Sequence, residues 1–124
     1  MADNKNFAIE INGDGGVKIS EEVVCIIAGL AAAEVDGVES LAGGLTSETI
    51  SKAGISKLAK AVRVVDGEES KIVVRMSINI KFGYEIPTVC STIQDKVKTA
   101  IETMTGLEVT AVDIRIATVS VAQA

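Results

Sequence analysis

Between Lys71 and Phe82 the sequence alternates without a break. Ile72, Val74, Met76, Ile78, Ile80 and Phe82 share one parity; Lys71, Val73, Arg75, Ser77, Asn79 and Lys81 share the other. Successive side chains of a strand point to opposite faces, so six matches in a row predict one long strand with a buried and a wet face. Gly83 ends it. Such a strand has to lie in a sheet covered on one side, and the remaining segments supply the cover.

Two stretches read as helices. Ser20 is placed to cap the first, with Glu21 and Glu22 offsetting the positive end of its dipole and Gly37 available to terminate it after about Val35. Val23, Ile26, Ile27 and Leu30 form an aliphatic stripe, and Cys25, Ala28, Gly29 and Ala32 a stripe of small residues beside it. A helix apolar on most sides is buried on most sides. Glycine inside a helix costs about 1 kcal/mol relative to alanine, so Gly29 suggests close approach by another backbone, from this chain or from a second copy. The small-residue stripe is therefore a candidate self-association surface. Pro87 suits the first turn of the second helix, whose stripe is Val89, Ile93, Val97, Ile101 and Met104, with Asp95, Lys98 and Glu102 opposite and Gly106 at its close.

Further strands surround these. Phe7, Ile9 and Ile11, then Asn12 to Gly16, then Val17 and Ile19 give a hairpin. Val62 and Val64 begin a strand that turns at Asp66 to Glu69. In the last strand Val112, Ile114 and Ile116 share a parity that Leu107 and Val109 do not, which predicts a bulge or a late start near Thr110. The order β-α-β-β-α-β predicts an α+β, two-layer sandwich: one domain over residues 1–124 with a mainly antiparallel sheet and two helices on one face. Residues 1–6 read as a flexible N-terminus, 42–60 as a mobile loop rich in glycine and lysine, and 118–124 as the C-terminal end.

Composition narrows the chemistry. The chain has no histidine, which removes the imidazole base, the serine–histidine and cysteine–histidine pairs and the usual zinc sites. Glu21 and Glu22 are explained by capping, and Glu68 and Glu69 by a solvated turn; neither pair has metal-ligand company. No catalytic residue, cofactor or metal is expected. Cys25 and Cys90 sit among aliphatic residues and read as two reduced core thiols, with a disulfide between them as the alternative. The longest apolar run, Val23 to Ala33, is well short of the roughly 20 residues that span a bilayer, so direct membrane insertion is not expected. The net charge of −5 argues against nucleic acid. Its distribution is uneven, with nine acids and two bases in residues 1–50 but eight and ten in 51–124; this reads first as a solvated surface of mixed sign, and alternatively as opposed faces that meet between copies. The wet sheet face is predicted to carry Arg63, Arg75, Asn79, Lys81 and Arg115. Those cations leave a small nucleic-acid-binding module as the alternative, weakened by the lack of stacking aromatics on that face.

Several blocks together resemble the alkaline-shock, or envelope stress response, family of Gram-positive bacteria. They are Ile19-Ser20-Glu21-Glu22-Val23-Val24 with the alanine-rich helix behind it, Val35-Asp36-Gly37-Val38, and Phe82-Gly83-Tyr84-Glu85-Ile86-Pro87. Ile93-Gln94-Asp95-Lys96-Val97, Met104-Thr105-Gly106-Leu107 and Val112-Asp113-Ile114-Arg115-Ile116 follow in order. The resemblance covers residues 19–116. It implies a cytoplasmic, non-catalytic scaffold or adaptor in cell-envelope homeostasis, which forms homo-oligomers and reaches the membrane through an integral membrane protein partner. It implies no catalytic residues. The sequence departs from the family pattern in Ala42 to Lys60.

Overall fold

A computed structural model describes residues 6–10, 16–46, 49–50, 58, 60–66 and 71–120 of the chain. The elements run β1 (Asn6–Glu10), β2 (Gly16–Ser20), α1 (Glu21–Ala33), β3 (Val38–Leu41), β4 (Val62–Asp66), β5 (Lys71–Lys81), α2 (Ile86–Thr105) and β6 (Glu108–Ser120). β1 and β2 pair antiparallel as a hairpin of their own. Both expected turns, Asn12 to Gly16 and Asp66 to Glu69, and the N-terminus before Asn6 fall largely outside the described residues.

The long alternating strand is β5, and it is the centre of the four-stranded sheet. Ile72, Val74, Met76, Ile78 and Ile80 are all buried. Along one edge β6 runs parallel to β5 from Lys71 to Lys81. β4 pairs antiparallel with Ile72 to Met76 and β3 antiparallel with Ile78 to Ile80, so these two strands share the other edge end to end. The Ala42 amide donates to the Ser77 carbonyl at 2.9 Å, and Val62 pairs with Met76. Residues 43–61 therefore leave the edge at one register position and rejoin it at the next. The β6 register slips where Thr110 is passed over, which is the predicted bulge, and again at Ala117.

Both helices cover the apolar face. Ser20 caps α1, its hydroxyl accepting from the Val23 amide at 3.3 Å. α1 ends at Ala33, two residues before the expected end. Gly37, at φ +98°, then redirects the chain into β3. Pro87 lies in the first turn of α2, and Gly106 at φ +80° closes it.

Three expectations change. Phe82 lies past the end of β5 and is 65% exposed, because the strand stops at Lys81 and the chain turns at Gly83. The fifth buried position of α2 is Thr105, not Met104, which is 69% exposed. Thr105 tolerates burial because its hydroxyl donates to the Ile101 carbonyl and accepts from the Leu107 amide. The stretch 42–60 also enters the core, through Leu45, Ile50 and Leu58.

Candidate functional site

The open face of the sheet brings the four expected cations together. Arg63 lies directly across from Arg75 in the β4–β5 ladder, Arg115 neighbours Ser77 in the β5–β6 ladder, and Lys81 ends β5. All four are exposed. Like charges placed opposite one another in a sheet repel. Asp113, the register partner of Arg75, comes within 3.6 Å of its Nε, but both side chains are well solvated and the pair contributes little. The face stays basic. Its floor is stiffened by Asn79, whose side-chain nitrogen donates to Ser40 Oγ at 3.0 Å and the Leu41 carbonyl at 3.3 Å, while its oxygen accepts from Thr118 Oγ1 at 2.9 Å. One side chain thus ties β3, β5 and β6 together. Phe82 and Tyr84 are exposed beyond the strand end, with Tyr84 beside Gly37 and Val89.

The small-residue stripe of α1 is placed elsewhere. Cys25, Ala28, Gly29 and Ala32 are buried, and a β-carbon on Gly29 would come within 3.2 Å of Leu41 and Leu58 and 3.3 Å of Ile50. What approaches Gly29 is not the expected backbone but side-chain methyls, and they belong to this chain. The aliphatic stripe is split: Ile27 is buried and Leu30 packs against the core, while Val23 and Ile26 are exposed. Cys25 donates its thiol hydrogen to the Val62 carbonyl, and burial, with Glu21 and Glu22 nearby, pushes its pKa up to about 12. Such a thiol is inert near neutrality. Cys90 is only partly buried, which corrects its expected place in the core; both thiols are free.

The outer edge of β6 carries a feature that residue patterning missed. Glu102 accepts from the Val109 amide at 2.9 Å, Lys98 donates to the Val109 carbonyl at 3.0 Å, and Gln94 donates to the Val112 carbonyl at 2.9 Å. Residues four apart line one side of a helix, so this row on α2 stands in for a missing neighbouring strand over the start of β6. Lys98 and Glu102 also bond to each other at 3.0 Å. The Val109 amide, then Lys98, holds the Glu102 carboxyl below the usual carboxylate range. A lowered folded-state pKa stabilises the fold above the unfolded-state pKa, and that contribution is lost as pH falls through the folded value. Glu102→Gln is therefore expected to lower the melting temperature at neutral pH, with the gap from wild type closing in acid. Parallel melting curves across the pH range check this, and a gap independent of pH would contradict it.

A shallow groove between the end of α1 and the start of α2 is lined by Glu34, Asp36, Tyr84, Glu85 and Thr88. Among the described residues no group of three or more acids and cysteines is placed to hold a metal ion, and no helix is long and apolar enough to cross a membrane.

Fold and surface thus define a small two-layer α+β domain whose polar sheet face and long edge strand lie open for contact. Comparison with known proteins supplies the family. The chain belongs to the alkaline-shock protein 23 family, of cell envelope-related function, whose model matches residues 10–121. It is 32% identical over 102 residues to the uncharacterized protein YqhY of Bacillus subtilis, covering 82% of this chain and 75% of that one. An uncharacterized protein of Streptococcus pyogenes is 30% identical over 102 residues, covering 82% and 77%. No solved structure matches.

Proposed function

We propose that the chain is a non-catalytic, self-associating scaffold or adaptor in cell-envelope stress response and homeostasis, working in the cytoplasm and reaching the membrane through an integral membrane protein. The observation that carries this reading is the shape of the exposed charge. Arg63, Arg75, Lys81 and Arg115 stand on a sheet whose strands are tied together by Asn79, a platform suited to a macromolecular surface. The envelope-related function of the family supports the biological setting. The excess of acid in residues 1–50 over a basic remainder supports association between copies.

Tagged protein recovered from a Gram-positive host under envelope stress should bring down an integral membrane protein, and Arg75→Glu with Arg115→Glu should reduce that recovery severalfold. Loss of the protein should sensitise the host to envelope-active agents. Unchanged sensitivity with no membrane protein recovered would refute the reading. A second reading, a nucleic-acid module, is favoured by the exposed cations of the sheet together with exposed Phe82, which follows Lys81 in sequence. It requires salt-sensitive RNA binding that the same two substitutions abolish.

A further inference from the structure

Among the described residues no strand pairs with the outer edge of β6, which is 13 residues long and contains no proline. Exposed edges of this kind template pairing with another chain unless they are blunted. Here α2 blunts only the beginning, through the bonds to Val109 and Val112. Beyond Val112 no side chain from α2 bonds to the edge among the described residues. A strand turns the backbone groups of alternate residues to the same edge. Val109 and Val112 face outward on either side of the Thr110 bulge, and from Val112 onward the next outward residues are Ile114 and Ile116.

We propose that two copies join here, β6 antiparallel to β6 about a two-fold axis at Ile114, so that one sheet runs through both subunits. This names the surface for the self-association proposed above and rests on that reading. The register follows from charge. With the axis at Ile114, Asp113 of each copy lies directly opposite Arg115 of the other, on the open face that both side chains already occupy. Moving the axis to Asp113 sets two carboxylates face to face; moving it to Arg115 does the same with two guanidinium groups. Directly opposed unlike charges stabilise an antiparallel pair and like charges oppose it. Arg115 makes no ion pair among the described residues, and in the dimer Asp113 sits between Arg75 of its own chain and the second copy's Arg115.

The helix side agrees. Ile114 and Ile116 are only partly buried at the margin of the core. The pairing sets Ile114 against its own counterpart and Val112 against Ile116, closing an apolar seam beneath the charged one. The Val112 carbonyl, held from one side by Gln94, keeps a second lone pair for the Ile116 amide.

The experiment uses the full chain in sedimentation equilibrium, with circular dichroism showing that each variant is folded. Wild type should dimerise. Asp113→Arg makes both contacts arginine–arginine, Arg115→Asp makes both aspartate–aspartate, and each should raise the dimer Kd at least roughly tenfold. An equimolar mixture of these two variants restores both unlike pairs and should form heterodimers with a Kd close to wild type. The amides of Ile114 and Ile116 should exchange more slowly as wild-type protein is concentrated. Variants that dimerise as tightly as wild type would overturn this surface while leaving self-association intact. Variants that stay monomeric even when mixed would overturn the register. A wild type that is monomeric at all concentrations would overturn self-association itself.

Discussion

Gly37→Ala should melt about 10 °C or more below wild type. Gly37 has φ +98° and joins the end of α1 to β3. An L-residue with a β-carbon loses about 1–2 kcal/mol in left-handed backbone. The added carbon would also come within 2.8 Å of the Tyr84 ring and 2.8 Å of a Val89 methyl. Val89 is almost wholly buried on α2 and has little room to retreat. Crowding in a packed interior costs a further 1–3 kcal/mol, roughly. The backbone cannot rotate away, because the Gly37 carbonyl accepts from the Lys81 amide at 2.8 Å where β3 meets the end of β5. The sum, about 3 kcal/mol, sets the expected shift for a domain of this size. Urea and thermal unfolding measure it. A loss below about 0.5 kcal/mol would mean that the α1–β3 connection is free to take another path.

Gly29→Leu should destabilise by a similar amount, and its more telling result is what stays unchanged. A first added carbon at this position already lies 3.2–3.3 Å from the terminal methyls of Leu41, Leu58 and Ile50. Those methyls end flexible side chains, so alanine, helped by its better helix propensity, should cost less than about 1 kcal/mol. Leucine brings three more carbons into filled space and should cost about 3 kcal/mol or more. Below its lowered melting temperature the variant should associate as wild type does, because the stripe faces the chain's own interior. A Gly29→Leu protein with wild-type stability and lost association would place that stripe between copies instead.

These two glycines show where residue patterning informs and where it stops. β5 was legible because polar and apolar residues alternate sharply, and burial follows that contrast residue by residue. The same parity argument located the basic face and the bulge at Thr110. α1 offers no such contrast: apolar on most sides, it does not reveal which side the core takes, and the core takes the small residues together with Val24 and Ile27. The reason lies in residues 43–61, whose Ile50 and Leu58 pack against Gly29 from far along the chain. Lys98 and Glu102 look like a solvated helix face because each is charged. Their bonds to Val109 exist only once β6 has been laid beside α2. Long-range pairing of this sort, including the parallel match of β6 to β5, leaves no local signature.

Every strand of the four-stranded sheet pairs with β5, and none of the described strands there pairs with another. This has a consequence during synthesis. Chains generally begin to fold from the N-terminus as they emerge from the ribosome. Here β3 and β4 are translated first and have nothing to pair with until residue 81 is free. α2 and β6 come later still. The growing chain must therefore carry the uncovered aliphatic residues of its first half until β5 emerges, and its sheet is complete only when β6 follows. Nascent-chain proteolysis would register this as no protection of β3 and β4 before β5 is free, and a further gain once β6 is.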